Sequence, residues 1–273
     1  MNERNVSIKA VTFDLWQTLL FETDGADSKR MTVRSKNLSQ ATAKLGIGVT
    51  EEQFRRSFGE MISWLESIWD ADNEVTHVDQ LRYIMKVASP NSLTLRQEWI
   101  EQLSSAYTSA IFDVPPYLNP DAEKTLQQLK ECKKHIGLIC NTGLTPGFSL
   151  RDFLAKNGVA KYFDVMLFSD EVGFRKPKPE IFQLAAQKMQ IKPHEIAHVG
   201  DNLRSDIWGA KNAGFKAIHI STDVGLDKIA EADPRSLMSI SFKPMNLKKD
   251  QMVPDKTVTS LVMVTKAVQE LEM

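Results

Sequence analysis

Four short segments of this chain carry residues able to do chemistry together. Asp14 closes the apolar part of IKAVTFDLWQTLL (8–20), with Thr18 just beyond it. Cys140-Asn141-Thr142-Gly143 ends a second apolar run that begins at Ile136. Lys176 stands in GFRKPKPEIF, before Pro177 and Pro179, and Gly200-Asp201-Asn202 is followed by Asp206. Carboxylates that converge in excess of nearby lysines repel one another and are driven to higher pKa values. A hard divalent cation with oxygen ligands relieves the repulsion, and Mg²⁺ is the usual choice. Lys176 can hold one carboxylate and pair with an anionic substrate. Small donors and backbone N–H groups at 141–143 suit phosphate-like oxygens. Asp14 is then free to act as a nucleophile.

Positioning these residues together requires a sheet. From Pro115 onward, short apolar strands alternate with amphipathic helices: helix 120–133 then strand 136–140, helix 148–158 then strand 164–168. Helix 178–190 then leads to strand 195–200, and helix 203–213 to strand 216–220. This alternation predicts an α/β, doubly wound parallel sheet covered on both faces, with ligands at the carboxyl ends of its strands. The run at 8–13 is a further buried strand, and Asp14 lies at its carboxyl end.

Between about 22 and 112 the strand pattern vanishes and helical spacing takes over. Thr50-Glu51-Glu52-Gln53 is a capping box ahead of Phe54, Phe58, Met61, Ile62 and Leu65 on one helix face. A preceding helix runs from near Ser28 to Gly46, and two more are expected at 78–88 and 95–112. Trp64, Trp69, Tyr83, Trp99 and Tyr107 are expected to pack these helices, and Arg30 and Arg34 to lie on a solvated face. The predicted organisation is a Rossmann-like core, 1–21 and 113–273, interrupted by a helical insert, 22–112. Residues 226–256 read as an irregular excursion, and 258–271 as a helix at the sheet edge.

Composition excludes several classes. The 273 residues carry a net charge of −1, which gives no electrostatic basis for a nucleic-acid or membrane partner. No apolar run approaches the ~18 residues of a membrane span, and the N-terminus lacks a signal-peptide core. Two cysteines, Cys132 and Cys140, make no disulfide framework, so a reducing, cytoplasmic setting is the simplest expectation.

Taken in order, FDLWQTL, ICNTG, RKPKPEIF and HVGDNLRSD resemble the four motifs of the haloacid dehalogenase superfamily, and GAKNAGFKAIHI resembles that family's ending. The resemblance spans residues 8–222 and implies a capped hydrolase, most readily a Mg²⁺-dependent phosphatase acting on a small phosphorylated metabolite. It implies that Asp14 forms a covalent aspartyl intermediate and that Lys176 stabilises Asp14 and the transferring group. Thr18 and the turn Cys140-Asn141-Thr142-Gly143 would bind the phosphoryl oxygens. Asp14, Asp201 and the main-chain carbonyl of Trp16 would hold Mg²⁺, with Asp206 a direct ligand or a partner of the ligands. The segment 22–112 resembles a cap that closes over the crevice.

Two residues depart from the phosphatase pattern. Trp16 stands where most phosphatase members carry a second aspartate as general acid, and an indole has no proton to transfer at neutral pH. Glu22, Asp24 and His77 are the insert-side candidates for that proton. Cys140 stands where Ser or Thr is expected, and a thiol is a weak donor. The aromatic Trp16 also resembles the metal-free 2-haloacid dehalogenases, in which the aspartate would attack carbon through an ester intermediate. A weakly active or non-catalytic relative that binds an anion or a partner is the third expectation.

Overall fold

The computed structural model describes residues 7–89, 94–221 and 252–273. Most of the excursion expected at 226–256 lies outside the described residues.

Six strands form one sheet: β1 (Ala10–Phe13), β4 (His135–Cys140), β5 (Val165–Phe168), β6 (Ile196–Gly200), β7 (Lys216–Ile220) and β8 (Lys256–Val258). Their order is β5-β4-β1-β6-β7-β8 with every neighbouring pair parallel. The remaining strands, β2 (Leu20–Phe21) and β3 (Tyr117–Leu118), make a small antiparallel pair where the chain leaves and re-enters the sheet unit. All four residues of β1 are buried, because it lies centrally with helices on both faces. One face packs Val11 and Phe13 against Ile136, Leu138, Leu150 and Leu154, and the other packs Ala10 and Ile139 against Ile181, Phe182 and Ile207. The chain leaves β1, returns as β4 on one side and later as β6 on the other. This reversal opens a crevice at the carboxyl end of β1, where open α/β sheets bind ligands.

The helical segment has a core of its own. Helices α1 (Ala26–Lys44), α2 (Glu51–Trp69), α3 (His77–Ala88) and α4 (Ile100–Thr108) bury Leu38, Phe54, Phe58, Met61, Leu65, Leu81, Leu103 and Tyr107 together. The Thr50 box is formed: its hydroxyl accepts from the Gln53 N–H at 3.2 Å, and its own N–H donates to Gln53 Oε1 at 2.8 Å. Thr76 and Asp79 make a second box at the start of α3. The helix expected at 95–112 is broken, with short turns before and after α4. The expected edge helix is Val264–Glu270, and the edge itself is closed by β8, which pairs with β7.

Candidate active site

Asp14 continues the β1 ladder, its N–H donating to Val199 O at 2.8 Å. It therefore sits beside the ends of β4 and β6, which deliver residues 140–143 and 200–202. Lys176 Nζ reaches Asp14 Oδ1 at 2.5 Å and Asp206 Oδ1 at 2.7 Å, and the lysine is 2% exposed. Carboxylate oxygens of Asp14, Asp201 and Asp206 all lie within 4.8 Å of one another. The four segments singled out in the sequence thus meet at one point.

The surroundings explain how the groups are held. Asp206 Oδ2 accepts from the Asn202 N–H at 3.0 Å, and its Oδ1 meets His198 Nε2 at 3.3 Å. His198, buried in β6, also bonds the Thr12 hydroxyl from β1 at 2.9 Å. A side chain at Gly200 would place its Cβ 2.4 Å from Asp206 Cγ, so only glycine lets that aspartate fold back against its own strand. Asn202 accepts from the Arg204 and Ser205 N–H groups and caps a π-helical turn, Leu203–Trp208, which projects Asp206 inward. Asn141 holds the lysine loop from the other side, accepting from Lys176 N at 2.7 Å and donating to Lys176 O at 2.9 Å.

Charge is unbalanced here. Burial drives the Asp14 carboxyl up to about 7 against the opposing pull of Lys176. Burial, followed by the charges of Asp14 and Asp206, raises Asp201 well above the carboxylate range. Asp206 stays low despite its burial because Lys176 and His198 hold its charged form. Three carboxylates face one ammonium, since burial lowers the pKa of His198. A hard oxygen-seeking cation suits this donor set.

Beside the cluster lies a cleft of about 120 Å³, lined by Trp16, Gln17, Glu22, Arg30, Arg34, Trp69, Asn141–Thr145 and Arg175 among others. Asn141, Thr142 and Gly143 therefore face it as well as flanking Lys176. Thr142 N–H, though, donates to Ser169 Oγ at 2.8 Å. Thr18 and Cys140 are fully buried and are not among the cleft's lining residues. The Thr18 hydroxyl has no hydrogen-bond partner, and the Cys140 thiol meets Asn141 O at 3.5 Å.

One expectation is corrected. Arg30 and Arg34 are not solvated: they are 3% and 2% exposed and face the cleft. Ala26, Arg30, Arg34, Leu38 and Ala41 form one buried stripe of α1, and that spacing was the signal in the sequence. Trp69 packs in the helical core as expected, and Arg175 also stacks over its ring at 4.7 Å on the cleft wall. Of the three insert-side proton donors, Glu22 lines the cleft, but Arg30 binds both its oxygens. Asp24 is exposed, and His77 meets Ser104 at 3.3 Å.

The α2–α3 turn fastens the helical segment onto this site. Asp72 pairs with Arg204 at 2.6 Å, Lys178 Nζ donates to Asn73 at 3.2 Å, and Glu74 pairs with Arg175 at 2.9 Å. Gln80 donates to Gly143 O at 3.0 Å.

Comparison with known proteins agrees with this architecture. A glyceraldehyde 3-phosphate phosphatase of Methanopyrus kandleri is 30% identical over 232 residues, covering 84% of this chain and 89% of that protein. The crystal structure of a 2-haloacid dehalogenase from Pseudomonas syringae superposes with a TM-score of 0.65 at 22% identity, covering 96% of this chain and 99% of the other. A HAD phosphatase from Thermococcus onnurineus superposes with a TM-score of 0.56 at 23% identity, over 95% and 97% of the two chains. These two likenesses concern the fold. The family model described as haloacid dehalogenase-like hydrolase matches residues 8–214, and the chain belongs to that family.

Proposed function

We propose that this hydrolase is a Mg²⁺-dependent phosphatase of small phosphorylated metabolites, working in the cytoplasm through an aspartyl-phosphate on Asp14. The observation that carries the reading is the cluster of Asp14, Asp201 and Asp206 around the single ammonium of Lys176. The phosphatase relative of similar length supports it. No helix among the described residues is long and apolar enough to cross a membrane, and the net charge of −1 gives no basis for a nucleic-acid partner.

Asp14, Asp201 and the carbonyl of Trp16 would hold the cation, which when bound neutralises the carboxylates and the phosphoryl oxygens. The oxygens of Asp206 are already engaged by Lys176, His198 and Asn202, which favours a role as partner of the ligands. Asp14 attacks phosphorus and the bond to the leaving oxygen breaks, while Lys176 holds the attacking carboxylate in line. Water then cleaves the acyl phosphate and frees Asp14. Asn141, Thr142 and Gly143 would border the phosphoryl group; fully buried Thr18 and Cys140 would support the turn rather than touch it. Trp16 supplies no proton; burial raises the Glu22 pKa, but Arg30 occupies both its oxygens, so the leaving group departs largely unassisted. The segment 22–112 serves as the cap over a core of 1–21 and 113–273, clasped by its Asp72-Asn73-Glu74 turn.

Hydrolysis of an aryl phosphate and an acyl phosphate, with Mg²⁺ and with chelator, tests this reading. Turnover that survives chelation contradicts it. One observation favours a second reading: the aromatic Trp16 fits a dehalogenase-like attack on carbon. Chloride release from a 2-haloacid would establish that chemistry, and no turnover of either class would mark a binding-only relative.

A further inference from the structure

We propose that Gln80, aimed by Tyr107, is a positioning residue that sets the phosphate-bordering turn from the helical segment; this rests on the phosphatase reading above. Each residue of that turn is held by one region or the other. Asn141 bonds both the N–H and the carbonyl of Lys176, and Thr142 meets Ser169 Oγ through its N–H at 2.8 Å and its hydroxyl at 3.1 Å. Both partners belong to the sheet unit. The next three residues are held from the other side. Gly143 O accepts from Gln80 Nε2 at 3.0 Å. Leu144 is buried in the core of the helical segment with Leu38, Phe58 and Leu103. Arg34 Nη2 donates to Leu144 O at 3.3 Å and to Thr145 Oγ1 at 2.8 Å. The turn therefore changes owner between Thr142 and Gly143, while all five residues line the cleft.

Gln80 is the one polar residue among those that α3 buries, beside Leu81, Ile84, Met85 and Ala88. A polar side chain placed there is costly unless it is bonded. An amide presents an oxygen and an NH2 of nearly equal shape, and only one orientation serves Gly143. Tyr107 fixes that orientation. Its phenol, raised above its ordinary pKa by burial, keeps its proton and donates to Gln80 Oε1 at 2.6 Å. Nε2 is left to face the Gly143 carbonyl, whereas a flipped amide would set its oxygen against another acceptor. Neither Gln80 nor Tyr107 is among the residues lining the cleft, so they act on a ligand only through the turn. Small displacements count here, because a shift of about 1 Å at a reacting site can cost ~100-fold.

Inorganic phosphate as a competitive inhibitor, with Mg²⁺ present, reads the turn directly. Gln80→Met keeps the length of the side chain and removes both bonds. It is expected to weaken phosphate inhibition about tenfold, and to raise KM for aryl and acyl phosphates alike by the same factor. The defect would lie with the phosphoryl group, not the leaving group. Tyr107→Phe should weaken inhibition about threefold, and the double variant should be no worse than Gln80→Met, since both act through one bond. Asp72→Asn loosens a different tie between the regions, the pair with Arg204. Asparagine suits the positive φ of 56° at that position, and phosphate inhibition should be unchanged. Equal weakening by Asp72→Asn would mean that Gln80 only fastens the segment, and would overturn the proposal. So would unaltered inhibition in Tyr107→Phe, the variant that decides the matter if Gln80→Met does not fold. Either result leaves the phosphatase reading standing. If the parent enzyme hydrolyses no phosphate, that reading fails and takes this proposal with it.

Discussion

At the strand ends, Asp14, Asp206, Lys176 and His198 bind one another through contacts of 2.5 to 3.3 Å, with Asp201 oxygens within 4.8 Å of both carboxylates. On the facing wall, α1 presents two buried arginines, one tied to carboxylates and one tied only to carbonyls and a hydroxyl. The first region is anionic and short of a cation; in the second, Arg30 and Arg34 stand against Glu22 and Asp27 and the charges balance. A divalent cation would complete the first. On the proposed reading, the strand-end half carries the reaction and the helical half borders the cleft beside it.

Removing the proposed nucleophile is the most severe way to break this division. Asp14→Asn is expected to lower turnover by at least ~10⁴-fold with the fold retained, as circular dichroism would report. The same variant sharpens the electrostatic side. Asp14 titrates near 7 in the folded chain against an ordinary 3.8, so the folded state holds its proton more tightly. The sign is then fixed: stability is lost as pH rises through that window, and the cost is full above it. Without metal at pH 8, Asp14→Asn should be the more stable protein by on the order of 4 kcal/mol. An equal or lower melting temperature would contradict the burial of an ill-matched charge.

Lys176→Met comes next. It leaves Asp14 and Asp206 facing each other without an ammonium, and a cost of about 3–5 kcal/mol follows from stripping one partner from a buried pair. Chemical denaturation would measure it. A loss under 1 kcal/mol would mean that the carboxylates are solvated.

The proposed lack of a proton donor predicts a graded effect. Aryl phosphates should outpace alkyl phosphates by about 10²–10⁴-fold, the usual worth of a general acid. A flat dependence on leaving-group pKa would show that another residue supplies the proton.

The smallest effect concerns the clasp between the two regions. Glu74→Gln keeps the shape but removes the charge opposite Arg175, and should cost about 1–3 kcal/mol while changing activity on a small aryl phosphate under tenfold. A collapse of activity would move Glu74 from fastening the regions to the chemistry itself.

The two regions also differed in how far the sequence could be read. Asp14 and Asp201 were legible because buried strands are continuous apolar runs, and a charge at the end of one stands out; Lys176 and Asp206 lie beyond strand ends and were legible through RKPKPEIF and HVGDNLRSD. The strand boundaries of β4, β5, β6 and β7 lie within a residue of those expected. β8 was missed, being only three residues, Lys256–Val258, with a lysine and a threonine at an edge. The cleft side was harder. Arg30 and Arg34 look like surface residues by type, and only their four-residue spacing with Ala26 and Leu38 places them on the buried face. The pairing of Asp72 with Arg204 joins residues 132 positions apart, and no local pattern encodes such a contact. The interior position of Thr18 and Cys140 depends on packing between elements, so they read as phosphate contacts from sequence alone.

The most direct test of the account is to acid-quench the enzyme during turnover of an acyl phosphate with Mg²⁺ and map the digest by mass spectrometry. The account predicts a phosphoryl adduct on the Asp14 peptide, absent from Asp14→Asn and from chelated enzyme. Sustained turnover without that adduct, in a run that traps a known aspartyl-phosphate control, would contradict it. So would heavy oxygen from labelled water entering the Asp14 carboxylate, the mark of an ester to carbon.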